Sequence, residues 1–575
     1  MQEVEVLVRK PRKFIGEEFE LSDWASVKVL YDDLKARKLD SFQELEAFIY
    51  DRSELESYLS ENMAWRYIKM TCDTSDEANQ ANFNFFVQEI QPQIAVYSDI
   101  LNKKVVQSPF VDQLTADGYD IMLRSLKMSI EIFREENIEI ETEIQNKQTE
   151  YQAISGGMSV TIDDQELTLQ KAADNMLLPD RKKRKKAYLA IAERRFADAE
   201  KLDLIFDELV QLRHQVAINA GFVNFRDYMF AAMGRFDYTP QDCFDFHAAI
   251  EQKVIPFVEK LAKVRKTDLQ IASLKPWDLK VDPAGNQPLK PFESGQDLLE
   301  KSIVCFDKID VRLGNYLRIM RAMGHFDLES RKGKAPGGYN YPLEEIGVPF
   351  IFMNATSTVR DLVTMVHEGG HAVHSFVSRD LPINAFRSLT SEIAELASMS
   401  MELISMEHWD VFFPNEADLK RAKIDHLEDI LETLPWIACV DKFQHWIYEN
   451  PIHNSIQRSR KWEEIFAQFS DKTTNWKGQE LFKAKMWQRQ LHIFEVPFYY
   501  IEYGIAQLGA VAVWKNYKQN QEKGLNDYLN ALELGYTKSI GEIYSAANVK
   551  FDFSAENIEN LMQFVADEIQ QIKQK

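Results

Sequence analysis

Apolar residues recur every three to four positions along most of this 575-residue chain, and long stretches contain neither glycine nor proline. That spacing predicts α-helices nearly throughout, including long ones across residues 118–153, and therefore a mostly α-helical fold. One exception follows Gly156-Gly157, where residues 158–162 and 166–170 flank a short polar turn and predict a β-hairpin. Another is Pro349–Asn354, which predicts a strand with an edge suited to pairing with an extended peptide.

A helix is predicted soon after this strand. Thr358 and Asp361 have the spacing of a capping box. Apolar residues then follow at helical spacing and give the helix one apolar face: Val359, Leu362, Val363, Val366, Val373 and Val377. Gly369 and Gly370 in its middle each cost about 1 kcal/mol relative to alanine. They indicate that a substrate or a neighbouring element approaches this part of the backbone closely.

The same helix carries the sequence His-Glu-Gly-Gly-His at residues 367–371. His367 and His371 are four residues apart, so they lie on one helical face and can bind one metal ion. Two imidazoles and one carboxylate leave the fourth tetrahedral position of zinc open to water. Glu368 lies beside that water, where it can act as general base. The pattern predicts a zinc peptidase.

Two other kinds of metal site are excluded by spacing. In zinc peptidases of the metzincin type, a third histidine ligand lies ten positions after the first, but here that position holds Val377. His374 is one turn further along the helix, and three ligands in a row fit tetrahedral geometry poorly, so we interpret it as a supporting or packing residue. A di-iron site needs a Glu-x-x-His motif on each of two helices, and Glu368 and His371 provide one only.

The third ligand is expected on a second helix, predicted to begin near Ser391. Glu392, Glu395 and Glu402 lie on roughly one face of it, among apolar residues that suggest partial burial. We expect Glu395 to be the zinc ligand, with Glu392 as the alternative. Glu402 is suited to orient one of the ligating histidines.

A cluster of polar aromatic residues follows near the C-terminal end. Tyr500 and Tyr503 are three residues apart, on one helical face, and His492 lies just upstream. Phenol and imidazole groups can donate hydrogen bonds to an oxyanion beside zinc, although tyrosines also serve in cores.

Charge and cysteine content indicate which partners and which cellular compartment suit this chain. Its formal net charge is −22, which disfavours nucleic acid as a partner. No apolar run is long enough for a membrane-spanning helix, and the first ten residues lack the apolar core of a signal peptide. Four scattered cysteines show no paired ligand spacing. We therefore expect a cytoplasmic protein.

Together these motifs resemble the thimet oligopeptidase and oligoendopeptidase F family of zinc metallopeptidases, with the oligoendopeptidase F branch closer. The resemblance is specific over about residues 275–505 and weaker back to about residue 155. It rests on Gly333-Lys334, Gly337-Gly338-Tyr339, Pro349-Phe350-Ile351, Asn354, His-Glu-Gly-Gly-His at 367–371, Ala394-Glu395, Glu402, and Pro497-Phe498-Tyr499-Tyr500 with Tyr503. One departure is Gly369, where relatives often carry a bulky residue, so the pocket is expected to be wider or more loosely packed there.

The resemblance implies a mostly α-helical, two-lobed protein with a deep central channel and a small β-sheet beside the zinc-binding helix. Residues 1–195 would form the N-terminal helical lobe and residues 196–575 the catalytic domain. One Zn²⁺ per chain is implied, bound by His367, His371 and Glu395. Glu368 is implied as the base, with His492, Tyr500 and Tyr503 near the scissile carbonyl.

The predicted function is therefore zinc-dependent hydrolysis of internal bonds in short unstructured peptides. Two alternatives stay open. One is a carboxydipeptidase, which would need a cation to hold the peptide's C-terminal carboxylate. The other is a non-catalytic, helical peptide-binding protein.

Overall fold

Helices form most of the computed structural model, which describes residues 6–574. Residues 1–5, in the predicted N-terminal lobe, and residue 575, in the predicted catalytic domain, lie outside the described residues. The first six helices are α1 (Trp24–Ala36), α2 (Phe42–Cys72), α3 (Glu77–Phe85), α4 (Gln91–Val106), α5 (Tyr119–Ile132) and α6 (Asn137–Gly156). None of the helices in this described range is long and apolar enough to cross a membrane.

A β-hairpin follows within the segment where one is predicted. Strands β1 (Ser159–Ile162) and β2 (Gln165–Thr168) pair antiparallel. Asp163 and Asp164 form the turn with φ angles of 51° and 62°. Two consecutive residues with positive φ are what a tight type I′ hairpin turn requires, and Asp tolerates this conformation better than most residues.

Eight helices connect the hairpin to a small sheet. They are α7 (Leu169–Asp174), α8 (Arg181–Ala197), α9 (Ala199–Asn219), α10 (Phe225–Ala232), α11 (Pro240–Lys253), α12 (Ile255–Asp268), α13 (Gly295–Ile309) and α14 (Val311–Met323). The sheet contains β3 (Phe326–Glu329), β4 (Tyr339–Tyr341) and β5 (Phe350–Ala355).

Ten further helices complete the described chain: α15 (Val359–Ser378), α16 (Ser391–Met406), α17 (Glu416–Glu449), α18 (Ser455–Gln468), α19 (Glu480–Ala484), α20 (Leu491–Glu495), α21 (Tyr500–Gln519), α22 (Gln521–Glu533), α23 (Ile540–Ala546) and α24 (Ala555–Gln574). Single helical turns lie at Phe86–Ile90, Val111–Gln113, Asn175–Leu177, Pro276–Asp278, Asn384–Phe386, Trp409–Val411 and Met486–Arg489. The prediction of a mostly α-helical fold with a small sheet beside the histidine-bearing helix is confirmed.

The sheet corrects one expectation. The strand predicted at Pro349–Asn354 is present as β5, but the prediction that its edge is free is wrong. The strand order is β3-β5-β4, so β5 is central, pairing parallel with β3 and antiparallel with β4. Its main-chain groups are therefore occupied on both sides, and an added peptide strand would have to pair with an outer strand instead.

Lys334 fixes the sheet from within. Its side chain is fully buried, and its ammonium group pairs with the Asp327 carboxylate at 2.9 Å. It also donates to the carbonyl oxygens of Asp327, Glu329 and Met353. A buried ammonium group with this many acceptors has its desolvation cost offset, so the Gly333-Lys334 motif joins β3 to β5.

A separate core holds the N-terminal helices to the rest of the chain. It contains buried apolar residues between Ile15 and Met122, and Ile383 and Phe386 from the turn between α15 and α16 insert into it. The segment that links these two helices is thereby anchored in the N-terminal region.

Helices α15 and α16 approach each other closely at Gly370. A Cβ atom at this position would lie 2.7 Å from Ser398 Cα and 2.8 Å from the Ala397 carbonyl oxygen. Both are backbone atoms, which cannot move aside as a flexible side chain can. The glycine thus allows a helix–helix contact that any larger residue would force apart.

We expect Gly370→Ala to destabilise the protein. Overpacking typically costs about 1–3 kcal/mol, which should exceed the gain of about 1 kcal/mol from alanine in a helix. Thermal unfolding would measure the change. The matched control is Gly541→Ala in α23, where a Cβ atom would meet nothing within 4 Å; its melting temperature should stay the same or rise. Equal melting temperatures for both variants would contradict the close contact.

Candidate metal centre

Helix α15 presents His367 and His371 side by side. The predicted capping box is confirmed: Thr358 Oγ1 accepts from the Asp361 amide at 3.3 Å, and the Asp361 carboxylate accepts from the Thr358 amide at 2.9 Å. The two imidazole centroids are 5.0 Å apart. Both histidine side chains are partly open to solvent, at 18% and 19% of their surface, so a small molecule can reach them.

Glu395 projects from α16 toward these two rings. Its Oε2 lies 3.2 Å from His367 Nε2 and 3.8 Å from His371 Nε2. A tetrahedral zinc ion with bonds of about 2.0–2.1 Å separates its ligand atoms by about 3.3–3.4 Å. Together the three side chains form a group that could hold one metal ion, and their spacing fits zinc.

Burial and neighbouring charges shift the pKa values of these three side chains. Burial alone would raise the pKa of Glu395, but the hydrogen bond from His367 and the charges of both histidines lower it to about 2. Burial lowers the pKa of His371 to about 4. Burial would also lower the pKa of His367, but hydrogen bonds to Glu395 and Glu402 keep it well above the usual value. The ionised Glu395 and the neutral His371 are thus in the forms that ligate zinc, whereas His367 would release its proton on binding the metal.

The other acidic residues of α16 have different surroundings. Glu402 Oε1 lies 2.6 Å from His367 Nδ1, on the ring edge opposite Glu395. This contact orients the ring so that Nε2 faces Glu395. Glu392 instead accepts a hydrogen bond from the Tyr238 hydroxyl at 2.6 Å, so the structure does not bring it to the histidines.

Glu368 and His374 flank the ligating face of α15. Burial raises the pKa of Glu368 to about 7, and the charges of His367 and Glu395 also act on it. Glu368 is therefore near the group without being one of its three donors. His374 is buried, and burial lowers the pKa of its imidazole to about 3. It lies within the packed interior, as an apolar residue would.

Gly369 packs against another helix. A Cβ atom there would lie 2.6 Å from Cζ of Phe306, a residue of α13. The Phe306 ring thus occupies the space that a side chain at position 369 would need. The glycine residue allows α13 to pack closely against α15, and the expectation of looser packing at this position is wrong.

The aromatic cluster lies next to Glu395, and one of its members is missing from the sequence prediction. Tyr503 Oη is 3.4 Å from His492 Nε2, and the Tyr500 and His492 ring centroids are 4.9 Å apart. Tyr499, which is not among the predicted site residues, donates to Glu395 Oε1 at 2.8 Å. Its position four residues before Tyr503 is the signal that would have identified it.

Burial also decides the protonation of these groups. Burial and the Glu395 charge raise the pKa of Tyr503 well above its usual value. Burial lowers the pKa of His492 to about 4. Tyr503 is therefore a protonated phenol at neutral pH and can donate a hydrogen bond.

A second group of possible metal ligands lies elsewhere in the described chain. It consists of Cys243, Asp441 and His445. All three are at most 2% exposed, and Asp441 Oδ2 already lies 2.8 Å from His247 Nε2. A substrate cannot reach a group this deeply buried, so the group on α15 and α16 is the one suited to chemistry.

Comparison with known proteins adds evidence from the whole chain. The sequence model of peptidase family M3 matches residues 175–563, and that of the peptidase M3 N-terminal domain matches residues 14–133. A solved structure of PZ peptidase A with an inhibitor superposes with a TM-score of 0.91 and 27% identity, over 97% of this chain and 99% of that one.

Two bacterial relatives are similar over part of their length. An oligoendopeptidase F homolog of Lactococcus lactis subsp. lactis is 23% identical over 55% of this chain and 52% of its own length. The plasmid oligoendopeptidase F of Lactococcus lactis subsp. cremoris is 23% identical over 64% of this chain and 60% of its own. The chain therefore spans about half the length of the curated relatives it matches.

Proposed function

This chain belongs to peptidase family M3, and from that premise we propose that it is a zinc-dependent oligoendopeptidase acting on short unstructured peptides. The observation that carries the proposal is the convergence of His367, His371 and Glu395 within ligand distance of one another. Glu368 lies beside them without belonging to the ligand set. We assign the three as ligands of one zinc ion and Glu368 as the general base.

The chemistry follows from the positions of these side chains. Zinc, when bound, supplies a Lewis acid for the peptide carbonyl and lowers the pKa of water. Glu368 takes a proton from the attacking water and passes it to the leaving amine. His492, Tyr500 and Tyr503 are assigned to the scissile carbonyl, where donors stabilise the negative oxygen of the tetrahedral state. Glu402 and Tyr499 hold His367 and Glu395 in place.

We expect Tyr503→Phe to lower kcat by about 10²–10³-fold while changing KM less, because the oxyanion exists only along the reaction path. Tyr499→Phe is the matched comparison. It removes a hydrogen bond to the proposed ligand Glu395, so it should weaken zinc binding by about 10–100-fold. Steady-state kinetics with zinc content would separate the two effects. A near-normal kcat for Tyr503→Phe would make Tyr503 a packing residue.

Substrate length tests the proposed function directly. We expect short peptides to be cut internally, with blocked ends tolerated, and long or folded chains to be resistant, because unfolding a protein costs about 5–15 kcal/mol. A length series around one cleavable sequence, with casein as the long control, measures this. Rates independent of length, or rapid casein digestion, would contradict the oligopeptidase assignment.

The same series discriminates the alternatives. Release of C-terminal dipeptides only from free-ended peptides would indicate a carboxydipeptidase. Absence of turnover in zinc-loaded protein would indicate a peptide-binding protein.

The four cysteines are free thiols, which supports the proposed cytoplasmic location.

A further inference from the structure

A cavity of about 540 Å³ has Tyr500, one of the proposed catalytic residues, in its lining. Helices α8, α12, α17 and α18 and the turn Met486–Arg489 contribute to its walls, which include the aromatic residues Tyr188, Trp436, Phe469, Trp476 and Phe482. Tyr500 lines it too, and the same ring lies 4.9 Å from the His492 ring by centroid distance. The volume is in the range of ligand-binding pockets. Tyr500 therefore belongs both to this cavity and to the aromatic cluster beside the metal centre.

Two arginines in the cavity lack acidic partners. Arg195 on α8 and Arg489 both line it. Within residues 6–574 neither guanidinium group makes a hydrogen bond or an ion pair, and Arg489 stacks over the Trp436 ring at 4.8 Å. The other cations of the lining are each paired with a carboxylate: Lys280 with Asp429 and Glu432, Lys485 with Asp203, and Arg265 with Glu428. The uncompensated positive charge is thus confined to one arginine pair.

The surroundings leave the positive charge of this pair unbalanced. The Arg489 side chain is open to solvent in the cavity, yet the protein around it and the charge of Arg195 lower its pKa to about 10. Burial also lowers the pKa of Arg195. Both groups remain charged at neutral pH, so two like charges face one cavity and repel each other. An anionic group placed between them would relieve that repulsion.

We propose that Arg195 and Arg489 bind a carboxylate of the peptide substrate, either its C-terminal carboxylate or that of an acidic side chain. Guanidinium groups bind carboxylates through paired N–H donors, which gives both strength and orientation. The aromatic walls accommodate the apolar side chain next to that carboxylate. This inference rests on the proposed peptidase function, since it assigns the substrate group that occupies the cavity beside Tyr500.

The choice between the two carboxylate sources has a consequence for where peptides are cut. A C-terminal carboxylate held by the arginine pair fixes the number of residues between the peptide end and the metal centre. The cut would then fall at a constant distance from the C-terminus as the peptide is lengthened at its N-terminus. An acidic side chain would instead fix the cut relative to that residue in the sequence.

The test uses zinc-loaded, full-length protein and matched peptides. One pair is identical except for a free or an amidated C-terminus, and a second, amidated pair differs by Glu or Gln at a single position that is moved along the peptide. The variants are Arg489→Gln, Arg195→Gln and the charge-preserving Arg489→Lys. Arg194→Gln is the control, because Arg194 precedes Arg195 on α8 but pairs with Asp198 and does not line the cavity.

We expect the wild-type protein to have a kcat/KM at least about tenfold higher for the carboxylate-bearing member of one pair. Arg489→Gln and Arg195→Gln should bring that ratio close to one, Arg489→Lys should retain part of it, and Arg194→Gln should keep it. A preference in the free-acid pair assigns the C-terminus as the source, and one in the Glu/Gln pair assigns a side chain. Equal rates within both pairs, or a ratio that survives in both glutamine variants, would overturn the carboxylate site. The proposed peptidase function would still stand. No cleavage of any peptide would instead refute the peptidase function.

Discussion

Replacing Glu368 with glutamine should lower kcat by about 10³-fold or more while the protein keeps its zinc. General base catalysis typically contributes about 10²–10⁴-fold, and an amide cannot accept the proton of the attacking water. Zinc should remain because the proposed ligands are His367, His371 and Glu395. Glutamine also preserves the size of the side chain, which is buried. The change therefore removes the proposed base and should leave the three proposed ligands undisturbed.

Turnover of a quenched peptide and zinc content of the same purified sample would measure the two effects separately. The control is Asp380→Asn, just after α15, whose carboxylate is 81% exposed; it should alter neither quantity. Zinc loss in Glu368→Gln would identify Glu368 as a ligand. Near-normal turnover would show that another group accepts the proton.

Local spacing explains which parts of the site could be predicted. The separation of His367 and His371 is a property of a single helical turn, and the capping residues Thr358 and Asp361 fix where that helix begins. Both lie within one short segment, so periodicity and capping rules suffice. Spacing left Glu392 open as the alternative to Glu395, because the two differ by less than one turn, and the resemblance implies Glu395.

Contacts between distant segments explain what the sequence could not predict. The contact between Gly369 and Phe306 joins residues that are 63 positions apart in the sequence. The hydrogen bond from Tyr499 to Glu395 joins residues that are 104 positions apart. The central position of β5 depends on β3, which is 24 residues earlier at its start. Arg195 and Arg489 meet in one cavity although 294 residues separate them. Neither arginine has a motif that distinguishes it from a surface residue.

Replacing His371 with alanine should remove zinc and activity together. Loss of a residue that merely supports a ligand costs about 10–100-fold in metal affinity or activity, so loss of a ligand should cost more than about 100-fold in zinc affinity. The two remaining donors, His367 and Glu395, already interact with each other at 3.2 Å. Without the metal ion that contact can persist as a hydrogen bond, so the fold should survive.

His374→Ala provides the contrast, since His374 lies three residues further along the same helix and is buried away from solvent. It should keep zinc and turnover per zinc, and lose thermal stability because truncating a buried side chain leaves a cavity. Zinc titration with a chelator as competitor, together with peptide turnover before and after added zinc, would compare the variants. Wild-type activity removed by a chelator should return with zinc, whereas that of His371→Ala should not. Stoichiometric zinc and continued cleavage in His371→Ala would contradict the ligand assignment, and with it the conclusion that α15 and α16 together form the metal centre.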